Sequence, residues 1–241
     1  MTHLISVPVL LGISAFALST AQMHLPSDFA LQAERHKIAG FGGHNKGRFE
    51  VEQFHGEFTR GESRFSIKDT AFVSNKGKSS FTLRDANATE IVSANCIMRK
   101  NAVTIGIVTF DPKKLSYQCE FVSAGQSLGP RLVLGQPKAV GTKEKLFAKD
   151  LRRGEATLFD QPLLVESVHR YKGSKFQSPA AVGYLLLSGE QLVAALELTD
   201  VNPTLLVLPD LGEELRHSVL ATALALAVFR DPADSALEDT F

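Results

Sequence analysis

Tryptophan is absent from this chain, cysteine occurs twice, and neither sign of charge is in excess. The last two each narrow the class of protein. Two cysteines are too few for a disulfide-stapled miniature scaffold or an all-cysteine zinc site. Lys plus Arg and Asp plus Glu number 26 each, so the formal net charge is zero. Nucleic-acid binders carry a basic excess, and so do polybasic membrane-surface proteins; the sequence reads as neither. No βαβ alternation runs through the text, which excludes a doubly wound parallel sheet. No Pro/Ser-rich linker divides the 241 residues.

Long apolar runs are also few. One is "LISVPVLLGISAFAL", from Leu4 to Leu18. Ser19 and Ala21 place small residues three and one before a cut ahead of Gln22, the form of an export signal. Residues 1–21 are therefore read as a signal peptide and 22–241 as one domain, secreted or held in the periplasm or cell envelope. An uncleaved anchor is the alternative, but the run is short of the ~20 residues of a full span. Export changes the meaning of the cysteines. Cys96 and Cys119 each sit in strand-like text, "VSANCIM" and "LSYQCEF", and in an oxidising compartment such a pair is expected to form a disulfide.

What the chain does have is alternation. Phe49 and Val51 alternate with Glu50 and Glu52; Phe65 and Ile67 with Ser66 and Lys68; Phe81 and Leu83 with Ser80 and Thr82. Val103, Ile105 and Ile107 alternate with Thr104 and Gly106. Period two with one apolar face predicts half-buried strands. "TRGE" at 59–62, "SNKGK" at 74–78 and "LSGEQ" at 187–191 read as hairpin turns. Ser27 or Asp28 is expected to cap a short helix near the start, and the acidic tail "PADSALEDTF" is expected to fray. Roughly a dozen short strands precede one strong helix.

That helix is dry nearly all round. Between Ser218 and Phe229 only Ser218 and Thr222 carry a polar side-chain atom. Asp210 stands three residues before Glu213 in the manner of a capping box, and Arg230 with Asp231-Pro232 closes the far end. The apolar part spans ~18 Å at 1.5 Å per residue, against a hydrocarbon core of ~30 Å. It is too short to cross a membrane, so any membrane association is not integral through this helix. The environment that buries a helix on every side is a closed or nearly closed β-barrel threaded by it. Ala221, Ala223, Ala225 and Ala227 keep it thin enough for a narrow barrel. Val219, Leu220, Ala223, Leu224 and Ala227 are the predicted central-helix core.

At this point the ending "GEQLVAALELTDVNPTLLVLPDLGEELRHSVLATALALAVFRD" resembles the tubby-like superfamily, which includes tubby C-terminal domains, phospholipid scramblases and LURP-one-related proteins. Gly189, Val193 and Ala194 match the family's hairpin, Leu205 to Leu208 its strand, Asp210 its turn, and Val219 to Phe229 its hydrophobic helix. The resemblance implies a mainly β fold, a barrel of about twelve strands around a central C-terminal helix. It implies no lipid chemistry at any named residue. The basic phosphoinositide motif, the acidic calcium segment and the scramblases' cysteine run have no counterpart here.

Sites of chemistry are scarce. "GQSLG", Gly125 to Gly129, spells the nucleophile elbow of α/β-hydrolases, with Ser127 as nucleophile and His169 or His217 with Asp150 or Asp160 to complete a triad. The elbow needs a helix after the serine, yet Pro130 and strand-like text follow. A turn is the simpler reading, and a serine hydrolase stays the alternative function. Gly77-Lys78-Ser79 ends like a phosphate-binding loop, but the earlier glycine is replaced by Phe72. His36, His44 and His55, with Glu34 and Glu57, have no metal-ligand spacing and read as surface residues. Asn87 to Thr89 is a glycosylation sequon, meaningful only in a eukaryotic secretory route. Lys143, Lys145, Lys149, Arg152 and Arg153, interleaved with Glu144, Asp150 and Glu155, read as a solvated face. The sequence calls for no metal and no cofactor. The function it favours is a non-enzymatic binding or scaffold domain, its partner a protein or an amphiphile such as a lipid.

Overall fold

A computed structural model describes residues 21–42, 44–66, 73–100, 115–137 and 151–229. The first elements are the helix α1 (Ser27–Gln32) and the strands β1 (Glu34–Lys37), β2 (Lys46–Val51), β3 (Phe54–Ser66) and β4 (Val73–Arg84). Then come β5 (Glu90–Lys100), β6 (Leu115–Ser123), β7 (Gln126–Gly135), β8 (Arg153–Leu158) and β9 (Gln161–Val168). The chain continues through β10 (Gly183–Ser188), β11 (Gln191–Glu197) and β12 (Thr204–Val207) into the helix α2 (Glu213–Val228).

The twelve strands form one antiparallel sheet, ordered β1-β12-β11-β10-β9-β8-β7-β6-β5-β4-β3-β2. From β2 to β12 each strand pairs with the next, and β1 returns to pair with β12 through Arg35 opposite Leu206. The two edges of the sheet are brought together just after β1, where Ala39 bridges to Glu50 of β2 and the two exchange hydrogen bonds of 2.9 and 3.1 Å. The sheet is thus nearly closed into a barrel, the arrangement that leaves least backbone unpaired at an edge.

Alternation decides which way each strand faces. Phe49, Val51, Phe58, Phe81, Leu83, Phe121, Leu132 and Leu186 point into one core, and α2 occupies its centre. Every α2 residue from Ser218 to Val228 is buried. The division of volume is what close packing requires: large rings come from the sheet, and four alanines from the helix leave them room. Gly56 shows how tight the fit is. It lies opposite Phe49, whose ring sits where a Gly56 side chain would go, and an added Cβ would meet the Thr82 carbonyl oxygen at 1.8 Å. A register shift between Leu186 and Leu187 leaves Val193 as a bulge, and both Val193 and Ala194 reach the inner core.

A second, smaller core lies outside the barrel. The segment before β1 folds over β10 to β12, so that Met23 and Phe29 pack with Val182, Ala195 and Leu206. Buried Glu197 holds this layer down. Its carboxylate accepts the backbone N–H of Met23 and a guanidinium N–H of Arg35.

Several expectations hold. The fold is mainly β, the helix is central, and the Gly189 turn at φ 59° joins β10 to β11. Others do not. "TRGE" and "SNKGK" are not turns: they face each other inside β3 and β4, with Gly61 opposite Lys78 and Glu62 opposite Gly77. Both glycines lie inside long strands, β3 of 13 residues and β4 of 12, and Gly77 leaves room for Met98, whose methyl an added Cβ would meet at 2.9 Å. The capping box is absent, because α2 starts behind Gly212 and no side chain caps it. Glu213 and Glu214 in its first turn instead suit the positive end of the helix dipole. Likewise α1 follows Pro26, and neither Ser27 nor Asp28 caps it. The signal segment, Ile67, the strand expected around Ile105, the basic stretch from Lys143 to Asp150, and the tail from Arg230 lie outside the described residues.

Candidate functional site

The barrel has a short-turn end and a long-connection end. At the N-terminal end of α2 the strands are joined by short turns, such as Phe159 and Asp160 between β8 and β9. At the other end the described connection is long: β9 and β10 are separated by the 14 residues 169–182. Long connections on a rigid frame are where binding surfaces usually lie.

Near the start of α2, Arg216 donates to Glu52 at 2.7 and 3.1 Å, tying the helix to the turn between β2 and β3. The Nε2 of His36 lies 3.3 Å from Glu34 and 3.6 Å from Glu52. His36 is therefore no scattered surface histidine; it belongs to a charged cluster beside the barrel's weak seam. The ring of His217 packs edge-on to Phe54 at 5.7 Å. The Ser218 hydroxyl donates to the Leu158 carbonyl, which satisfies one of the two polar atoms of the dry helix.

The far end of α2 is capped from the sheet. Its last four carbonyls have no partner within the helix. Tyr117 donates its O–H to Ala225 O at 2.9 Å, Phe229 N–H reaches Leu226 O at 3.3 Å, and Arg60 reaches Ala227 O at 3.4 Å. Ser79 lies 3.0 Å from the Tyr117 oxygen and is placed to donate to it. Phe229 covers the Tyr117 ring at 4.3 Å. Arg60 also stands over the rings of Phe41 and Phe58, at 5.5 and 5.4 Å. The void among Arg60, Ser79, Tyr117 and Val228 measures about 10 Å³. That is room for about one water and not for a ligand.

Burial first, offset in part by the Ser79 hydrogen bond, pushes the Tyr117 phenol far above its usual range. The sign of the linkage follows. Above pH ~10 the unfolded chain releases this proton and the folded one keeps it, so stability falls as pH rises. Tyr117→Phe should strand Ala225 O and the Ser79 hydroxyl, at a cost of about 1–3 kcal/mol near neutrality. It should also remove up to ~1.4 kcal/mol per pH unit from the alkaline slope. Urea melts of both proteins at pH 8 and 11 measure the two effects.

Outside the barrel, β2 to β5 carry an open groove of about 610 Å³. Its floor is a set of cross-strand rows. Arg48, Glu57, Thr82 and Ser93 stand side by side, and Lys46, Thr59, Ser80 and Asn95 form the next row. The Thr59 and Ser80 hydroxyls are 2.8 Å apart, and Arg84 meets Glu57 at 3.5 Å. The apolar residues between these rows, Phe58, Phe81 and Ala94, are buried toward the helix.

The other sequence candidates fall as follows. Ser127 pairs with Val122 in β7, just after the Ala124–Gly125 turn, and that hairpin has no helix behind it. Gly77, Lys78 and Ser79 lie inside β4, so no phosphate loop forms. His169 lies 2.9 Å from the Ser167 hydroxyl and 3.0 Å from Ser178 O, a structural role. Cys96 and Cys119 stand directly opposite each other on β5 and β6 and form a disulfide facing the core. The bridge is consistent with an oxidising compartment. Among the described residues no helix is long and apolar enough to cross a membrane, and no group of His, Cys, Asp and Glu is arranged to hold a metal. No family model, no curated protein and no solved structure matches this chain.

Proposed function

We propose that the chain is an exported, non-enzymatic binding or scaffold module that takes its partner on the outer surface of the barrel. The observation that carries this reading is the filled interior. Eleven consecutive buried residues of α2 occupy the space that a ligand-carrying barrel leaves open, and the void beside them is about 10 Å³. An amphiphile would have to lie against the outside, as would a protein partner. The tubby-like relationship belongs to this proposal and rests on the C-terminal hairpin, strand and helix alone.

The alternative, a serine hydrolase using Ser127, predicts covalent labelling. A fluorophosphonate probe should leave the folded protein unlabelled, and Ser127→Ala should change nothing. Labelling that disappears in Ser127→Ala would overturn the non-enzymatic reading.

A further inference from the structure

We propose that the groove across β2 to β5 binds an acidic oligosaccharide. This deepens the binding-module reading and rests on it. Besides the charged Lys46, Arg48 and Glu57, the groove's polar groups are four side-chain hydroxyls and one amide: Thr59, Ser80, Thr82, Ser93 and Asn95. Each hydroxyl both donates and accepts, and the amide does both at different atoms. A polyhydroxylated ligand presents the same mixture. The cations are at one side. Arg84 meets the Glu57 carboxylate, and neither Lys46 nor Arg48 has a carboxylate partner among the described residues. Both are exposed on β2 two positions apart, so they face the same way with about 7 Å between them along the strand. They stand at the β2 end of the hydroxyl rows, where Glu57, opposite Arg48, is met by Arg84 and leaves the two β2 cations for a ligand. On the opposite side Glu120 stands across from Asn95, so the cations of the groove lie at β2.

Other occupants fit less well. A lipid needs apolar surface, and Phe58 and Phe81 are buried toward the helix. Single-stranded nucleic acid needs aromatic platforms, which the groove does not expose. An extended peptide adds to a sheet at its edge through backbone groups. Here the strands lie within the sheet, with their backbone groups already paired, except on the outer side of β2.

Titration calorimetry of the full chain with hexagalacturonate and with a heparin hexasaccharide tests this, with neutral maltohexaose as the control. At least one acidic hexasaccharide should bind, and maltohexaose should bind at least tenfold more weakly. The Lys46→Ala/Arg48→Ala double variant should lose at least tenfold in affinity, and Ser93→Ala/Asn95→Ala a smaller factor. All four positions are on the outer face, so circular dichroism should be unchanged. Binding of neither acidic probe, equal binding of maltohexaose, or full affinity in the Lys46/Arg48 variant would overturn the inference. Those results would leave the non-enzymatic reading standing, since that reading fails only on Ser127-dependent labelling.

Discussion

Leu224→Asp should yield no folded protein. Leu224 is fully buried in the middle of α2, inside the ring of strands. Truncation to alanine alone removes the burial and opens a cavity, which costs ~2–5 kcal/mol. Aspartate adds a second penalty, because its carboxylate would lie in an apolar core. It must either remain charged there or protonate against its ordinary pKa, and both routes are unfavourable. A domain has ~5–15 kcal/mol of stability in all. Leu224→Ala should therefore be recovered with a lowered melting temperature, and Leu224→Asp should appear only in the insoluble fraction. Leu31→Asp is the matching control. Leu31 is 87% exposed on α1, so the same chemistry there should leave solubility and melting temperature nearly unchanged.

Loss of the disulfide should have the next largest effect. Cys96 and Cys119 close a loop with a sequence separation of 23. In the chain-entropy model a loop of that size contributes about 3 kcal/mol by restricting the unfolded chain. The bridge also joins two strands on their inner face, where both cysteines are buried. Cys96→Ala/Cys119→Ala should lower the melting temperature by ~6–12 °C, taking ~2–4 °C per kcal/mol for a domain of this size. Intact-mass analysis of the parent protein, with and without reductant, should show the two-hydrogen difference of one bridge. Two thiols freely alkylated without reductant would contradict the pairing.

Much of this fold was legible because two periods dominate the text. Period two in Phe49–Val51 and Phe81–Leu83 placed strands, and the apolar circumference of Val219 to Val228 placed a helix with nowhere to go but inside. The same signals misled at Gly61 and Gly77. Glycine next to a charged residue reads as a turn, but inside a strand it also makes room for a neighbour, as Gly77 does for Met98, and no local feature separates the two uses. The missing cap at Asp210 has a similar cause. Spacing located the residue, while the start of α2 depends on how the chain turns in from β12. Partners distant in sequence were hidden altogether. Nothing near Tyr117 or Arg60 marks them as caps for a helix more than 100 residues away. Nor does the text bring Glu34, His36, Glu52 and Arg216 together. The outer groove was invisible for the opposite reason, since its Thr, Ser and Asn residues are what any solvated strand face carries. Only the register, which sets Thr59 beside Ser80 and Lys46 and Arg48 at the end of the same rows, distinguishes it.

The central claim is that α2 is the core around which the barrel closes. Deleting residues 213–241 and measuring the solubility and far-ultraviolet circular dichroism of what remains tests it most directly. Without the helix, inner-face residues such as Phe81, Phe121 and Leu132 lose the surface they pack against. The account predicts an insoluble product, or a soluble one without a cooperative thermal transition. A soluble truncation that keeps its β-sheet spectrum and melts cooperatively would contradict it.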